Sequence, residues 1–382
     1  MHGAWDELSG RQHGVELAVL RAILPSDNAS PTLDLTMHGD QLVELVARER
    51  LWGLAAQACD HGAIAVDQAT KERLGAGHRA SMVFALAVES VVIEVASALR
   101  HAGIERRLLK GAATARLLYP TPELRDTGDV DLLVRPRDFE AAIAALSTIG
   151  VVTRRWPAPG NAHLTSGHER TLLHPSGVEV DLHRRVQAMH RNSSLSEATL
   201  FANPLTVEIG GHHVDTLSLP ALFIHAALHL ATRDTRASTL ADLVRMTENP
   251  ALDVAAALTL ARTERVSGWV HWALDRTADV SELPARCWQA RFEVPASRID
   301  RATAHYLQTH PSAGMLIDLL AEPGRVRLMG ELVWPSDEFL LNLGRTRASH
   351  LGHLAVAPLR FLRPKHSRVG VARRAPTPPP TK

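Results

Sequence analysis

Leu109-Lys110-Gly111-Ala112-Ala113 and, after a short helix-like stretch, Gly128-Asp129-Val130-Asp131-Leu132-Leu133-Val134 decide how this chain folds. Arg106 to Leu109 reads as a short strand running into a glycine turn, and Ala112 to Leu118 has helix-forming composition, ended by Pro120. Val130 to Val134 reads as a second strand. Carboxylates at i and i+2 of a strand point to the same side of its sheet, so Asp129 and Asp131 share a face. Downstream, Val178-Glu179-Val180-Asp181-Leu182-His183 is another strand candidate and offers a third carboxylate, Asp181, with Glu179 and His183 on the same face. On their own, Asp129 and Asp131 would read as a solvated strand face. The upstream Lys-Gly, the apolar run after Asp131 and the later Asp181 favour a shared site.

That pattern has a chemical consequence. Magnesium prefers hard oxygen ligands and binds through one or two carboxylates plus substrate phosphates. Two ions held by such a set can activate an attacking oxygen and steady a leaving pyrophosphate. Asp129 and Asp131 are the candidates for the carboxylate that bridges both ions, and Asp181 for holding the ion next to the acceptor. A glycine turn opening a helix presents backbone N–H groups to phosphate. The parts point to phosphoryl or nucleotidyl transfer. Lys110 and Arg125 are candidates for neutralising triphosphate charge. Arg125, next to Asp126, equally suits a structural pairing with a carboxylate.

Outward from this centre the texture changes. Residues from about Leu33 to Arg100 read as helical, and Gly103 is a plausible stop. Asp138 to Leu146 reads as a helix. Thr171 to His174, Pro175-Ser176-Gly177 and Val178 to His183 read as a hairpin. From Pro220 the helical texture returns over Leu222 to Ala231, Leu240 to Met246, Val254 to Arg262 and Val270 to Ala278. The final stretch, Arg363 to Lys382, is basic and proline-rich, has little to bury and is expected to be disordered. The expected division is an N-terminal helical region over 1–102, a mixed core over 103–215, a C-terminal helical region over 216–345 and a tail over 346–382.

Several histidines remain open in meaning. His225 and His229 stand at i and i+4 of a helix, a spacing that suits zinc, core packing or a hydrogen bond to the central unit. Asp242 reads as a helix-face residue that meets one of them. His163, His168 and His174 either frame an acceptor pocket or form a histidine-rich surface.

The chain's 382 residues can hold several domains, and a net charge of +1 gives no global case for nucleic-acid binding. Long RNA is therefore not expected, although local basic residues such as Arg184-Arg185 leave a tRNA-sized acceptor open. Two distant cysteines, Cys59 and Cys287, read as reduced core residues. No apolar run reaches roughly 18 residues, so no membrane span is expected. The N-terminus lacks the regions of a signal peptide, and the cytoplasm is the expected location. No Walker A, GxGxxG or Gly-x-Ser-x-Gly motif occurs.

The ordered set Leu109-Lys110-Gly111-Ala112-Ala113, Leu117-Leu118-Tyr119-Pro120, Arg125, Gly128 to Val134 and Val180-Asp181-Leu182-His183 resembles the uncharacterised nucleotidyltransferase family of the polymerase-β-like superfamily. The resemblance spans about Leu33 to Pro284, with His225-Ala226-Ala227-Leu228-His229 and Leu240-Ala241-Asp242-Leu243 in its C-terminal helical part. It implies an α+β fold: a polymerase-β-like core, a small mixed sheet with helices, flanked by N- and C-terminal helical regions. It further implies Asp129, Asp131 and Asp181 as metal ligands, Gly111 as the nucleotide-phosphate turn, magnesium as cofactor and an NTP such as ATP as co-substrate. Ala112 departs from the Gly-Ser or Gly-Gly usual in the superfamily; it loses a hydroxyl and keeps the backbone N–H. The expected activity moves a nucleoside monophosphate to a hydroxyl or phosphate of an acceptor that the sequence does not name: a small molecule, a peptide or protein, or an RNA. The alternatives are γ-phosphoryl transfer at the same site and a non-catalytic nucleotide sensor or scaffold.

Overall fold

The computed structural model describes residues 17–24, 32–153, 169–186, 195–232 and 236–309. The Arg363 to Lys382 tail, His163 and His168 lie outside the described residues. The chain builds a mixed α+β fold around a seven-stranded sheet. The sheet strands are β3 Arg106–Leu108, β4 Val130–Val134, β5 Val152–Thr153, β6 Glu169–Leu173, β7 Glu179–His183, β8 Leu205–Ile209 and β9 His212–Thr216, in the order β5-β6-β7-β4-β3-β9-β8. Two further two-residue strands, β1 Leu33–Asp34 and β2 Ile64–Ala65, pair in parallel outside it.

The strands read from the sequence are present. β6 and β7 form an antiparallel hairpin with Glu169 opposite His183, and Gly177 takes a positive φ of 86° in its turn. The β8–β9 hairpin was not anticipated, although Gly210-Gly211 is a two-residue turn with φ 54° and 79° after the alternating segment Leu205 to Ile209. Its reason is physical: Val207, Ile209 and Val214 bury one face while Glu208, His212 and His213 stay exposed.

Each face of the sheet meets its own helices. The alternate residues Val130, Leu132, Val134, Val180 and Leu182 pack against Val88, Val91, Val92, Val95 and Leu99 of α3, Gln68–His101, and Phe139, Ala142 and Leu146 of α5, Phe139–Ser147. The opposite face carries Asp131, Leu133, Asp181 and His183. Leu133 belongs to a second core shared with α1 Gly39–Glu49, α2 Trp52–Asp60, α7 Leu219–Thr232 and α8 Ala237–Glu248. Between these lie α4 Ala112–Leu118 and α6 Glu197–Phe201, and the bundle continues through α9 Val254–Thr263, α10 Ser267–Val280, α11 Ala285–Glu293 and α12 Arg298–Thr309.

The region read as helical from Leu33 to Arg100 ends in helix α3. It is continuous over 34 residues, starts at an Asp67 cap that accepts from Thr70 N at 2.7 Å, and turns at Gly103 with φ 71°. By length and composition alone it is long and apolar enough to cross a membrane, although Glu89 and Glu94 interrupt its apolar run. Its C-terminal half is committed to the sheet, while Met82, Val83, Phe84 and Leu86 are exposed. Cys59 and Cys287 are both free thiols, the first half-buried and the second buried.

Candidate functional site

The site is assembled by register. Strands β4 and β7 run parallel with Asp131 directly opposite Asp181. Asp129, two residues before Asp131, joins the same face. Ligand oxygens of Asp129, Asp131 and Asp181 all lie within 4.8 Å of one another. Among the described residues these three form the cluster of acidic, histidine or cysteine groups able to share an ion. The fit is sharpened by two buried carboxylate oxygens, Asp131 Oδ2 and Asp181 Oδ1, that have no hydrogen-bond partner. Buried carboxylate oxygens are costly without a compensating contact, and a divalent cation supplies one.

Charge is concentrated here. Asp131, at 2% exposure, and burial of Asp129 itself push the Asp129 carboxyl up to about 6. Asp181 also sits above the usual carboxylate range, through burial and then Asp131. Burial works against the charge on Asp131, but Lys110 and His183 more than offset it and hold its carboxyl well below that range. Lys110 Nζ lies 3.3 Å from Asp131 Oδ1 and donates to His229 Nε2 at 3.2 Å. His183 donates from Nε2 to Asp131 Oδ1 at 3.1 Å, while its Nδ1 faces Glu169 Oε2 at 3.3 Å. Asp131 is thus oriented by an imidazole that is itself held by a carboxylate, the arrangement that commonly fixes metal-binding carboxylates and imidazoles.

Gly111 opens α4 with φ 60° and ψ −110°, a conformation that disfavours any residue with a Cβ. An added Cβ would stand 3.2 Å from Thr127 Cγ2. The turn is stitched to the acidic strand, because Leu109 N donates to Asp131 O at 3.0 Å. Lys110, Gly111 and Ala112 therefore adjoin the carboxylates.

Arg125 is placed differently. Its Nε and Nη2 donate to Asp242 Oδ1 and Oδ2 at 2.8 and 2.9 Å, and Nη1 donates to the Asp126 carbonyl. The structural pairing, one of its two readings, is the one the geometry displays; the guanidinium is turned into the protein. Asp242 meets Arg125 and Tyr119 rather than a histidine, which corrects the expectation for it. His229 instead makes the hydrogen bond to the central unit through Lys110. His225 is buried, and burial followed by the nearby Lys110 charge pushes its imidazole down to about 3. His174 is occupied by Glu94 and Ser176. Arg184 lies over the Phe139 ring at 5.2 Å.

Two neighbours escaped sequence reasoning. Arg50 holds a left-handed conformation at the end of α1, and its guanidinium lies against Gly128. Its charge favours the ionised form of Asp129. Glu169 backs His183. Only the hairpin register, Glu169 opposite His183, signals the latter; nothing in the sequence signals Arg50.

Comparison with known proteins places this geometry in a family. The profile of the family described as uncharacterised nucleotidyltransferase matches residues 37–280, and the chain belongs to that family. Among solved structures it is similar to an antigenic nucleotidyltransferase-like protein from Paracoccidioides brasiliensis. The two share 19% identity at a TM-score of 0.30, covering 48% of this chain and 92% of that one. No curated protein matches.

Proposed function

We propose that the chain is a magnesium-dependent nucleotidyltransferase that moves a nucleoside monophosphate from an NTP to a hydroxyl or phosphate oxygen of an acceptor. The observation that carries this reading is the triad of Asp129, Asp131 and Asp181, with two buried oxygens unpartnered beside a glycine turn. Asp129, Asp131 and Asp181 would hold magnesium, which when bound neutralises triphosphate charge and lowers the pKa of the acceptor oxygen. Lys110 places an ammonium at the same carboxylates, where it can meet a phosphate oxygen. Gly111 lets the backbone approach the phosphates without a Cβ. His183, braced by Glu169, keeps Asp131 aimed.

The step balances simply. The acceptor oxygen bonds to the α-phosphorus as the bond from that phosphorus to its bridging oxygen breaks. Pyrophosphate departs, and a hydroxyl acceptor releases its proton to water. Asp181 would serve the ion on the acceptor side; the strand that follows Asp129 and carries Asp131 is joined to the phosphate turn, which supports that division.

The test follows the label. The full chain is incubated with Mg²⁺, acceptor-containing extract and an NTP labelled at the α- or the γ-phosphorus. The reading expects α-label on an acceptor and γ-label in pyrophosphate, with Asp131→Asn slower by about a thousandfold or more. Label from the γ-position on the acceptor would replace it with phosphotransfer. Binding of NTP with no transfer would replace it with a nucleotide sensor.

A further inference from the structure

One buried carboxylate outside the triad touches three of the segments that shape the site. Asp242 lies on α8, at 3% exposure and 117 residues away from Arg125. Its Oδ1 accepts from Tyr119 OH at 2.8 Å and from Arg125 Nε at 2.8 Å. Its Oδ2 accepts from Arg125 Nη2 at 2.9 Å and stands 3.5 Å from Thr114 Oγ1. Thr114 in turn donates to the Gly111 carbonyl at 3.0 Å. A single side chain on the C-terminal bundle thus reaches the glycine turn through Thr114, the end of α4 through Tyr119 and the approach to the acidic strand through Arg125.

The approach is short and tightly held. Arg125, Asp126 and Thr127 are all buried, and Asp129 follows within two residues of Thr127. Asp126 accepts from Trp52 N at 3.1 Å and Gly53 N at 3.5 Å at the start of α2. Thr127 Oγ1 donates to the Arg125 carbonyl at 3.3 Å. Burial disfavours the charge on Arg125, yet Asp242 overrides this and keeps the guanidinium protonated. A fork-to-fork pair fixes orientation as well as distance, which a single hydrogen bond does not.

We infer that Asp242 is a positioning residue: through its bidentate pair with Arg125 and its contacts with Tyr119 and Thr114, it sets the placement of Asp129 relative to the Gly111 turn. This rests on the metal reading above. It adds that the C-terminal helices complete the site, although none of them supplies a member of the triad. The ligand class it serves is a divalent cation with its polyphosphate.

The experiment is Mn²⁺ titration of the full chain, followed by electron paramagnetic resonance well below the melting temperature, with circular dichroism as the check on folding. Asp242→Asn keeps the shape and removes the charge. The expected result is native dichroism with Mn²⁺ bound roughly 10- to 100-fold more weakly, the range for supporting partners of metal ligands. Tyr119→Phe, which removes one bond, should give a smaller loss in the same direction. A destabilised control remote from the site, Leu274→Ala on α10, should melt earlier and bind Mn²⁺ as wild type does. If Asp242→Asn does not fold, Arg125→Lys keeps the charge and breaks the fork, and the same weakening is expected. A folded Asp242→Asn or Arg125→Lys chain with wild-type Mn²⁺ affinity overturns the inference and leaves the metal reading standing. A wild type that binds no Mn²⁺ overturns both.

Discussion

Asp129 is a residue whose best state depends on what occupies the site. Its folded pKa of about 6 stands above the model-peptide value because Asp131 repels its charge and burial adds to this. The sign follows from linkage. A carboxyl with a raised folded pKa binds its proton more tightly in the folded state. Its stabilising contribution is full below the unfolded pKa and is lost as pH rises through the folded one. Near pH 7.5 the metal-free protein therefore carries repulsion that a neutral isostere relieves. Asp129→Asn should melt at higher temperature than wild type at pH 7.5 without metal, and the gap should close near pH 4. Added Mg²⁺ should raise the wild-type melting temperature and leave that of the variant nearly unchanged. Scanning calorimetry at the two pH values, with and without Mg²⁺, checks all of this; a variant less stable than wild type at pH 7.5 without metal would contradict the electrostatic account. At this scale much was legible. The Asp129/Asp131 spacing, the lone Gly111 and Asp181 in an alternating strand each signal their own placement. Arg125 was ambiguous because its partner, Asp242, is 117 residues away, and local sequence holds no record of that distance.

Among the elements, the packing of α10 on α11 shows how one histidine can make a helix pair acid-sensitive. His271 Nε2 donates to the Val294 carbonyl at 3.0 Å, while Nδ1 accepts from Arg291 Nε at 3.2 Å. That pattern requires the neutral ring. Burial, and then the Arg291 charge, push the imidazole down to about 4. A base with a lowered folded pKa contributes stability present above its unfolded value, near 6.5, and lost as pH falls toward 4. His271→Gln, which can keep a donor and an acceptor without a titrating proton, should flatten the loss of melting temperature between pH 6.5 and 4.5. An unchanged slope would show that other groups govern acid unfolding there. The elements themselves were legible in proportion to their pattern. β4 announces itself because Val130-Asp131-Leu132-Leu133-Val134 is buried on both faces. The β8–β9 hairpin is only half legible: Leu205 to Ile209 alternates before Gly210-Gly211, but β9 opens with exposed His212, a polar residue on the same face as Val214, which breaks the alternation there. The start of α3 within the broad helical reading of Leu33 to Arg100 was not legible, because Leu74 and Val88 are buried while the intervening turns are largely open, so no single apolar stripe runs its length.

At the scale of the whole molecule, the fold brings three chain regions onto one sheet face. The central unit supplies the triad and the turn. The N-terminal helices receive Asp126 at the start of α2, and the C-terminal bundle contributes His229 and Asp242. The order of motifs implied the family and the α+β class, and the match over residues 37–280 agrees with both. The way the outer helices close on the core was not legible, since it depends on contacts between buried polar groups far apart in the chain. The central claim is that Asp129, Asp131 and Asp181 together hold the divalent cation that accompanies an NTP. It is tested most directly by a crystal structure of the full chain grown with Mn²⁺ and a non-hydrolysable NTP, with data collected for the anomalous signal of manganese. The account predicts an anomalous peak bonded to oxygens of these three aspartates, with the triphosphate against the Gly111 turn. A bound triphosphate elsewhere, or manganese held by other residues while the three carboxylates keep their metal-free arrangement, would contradict it.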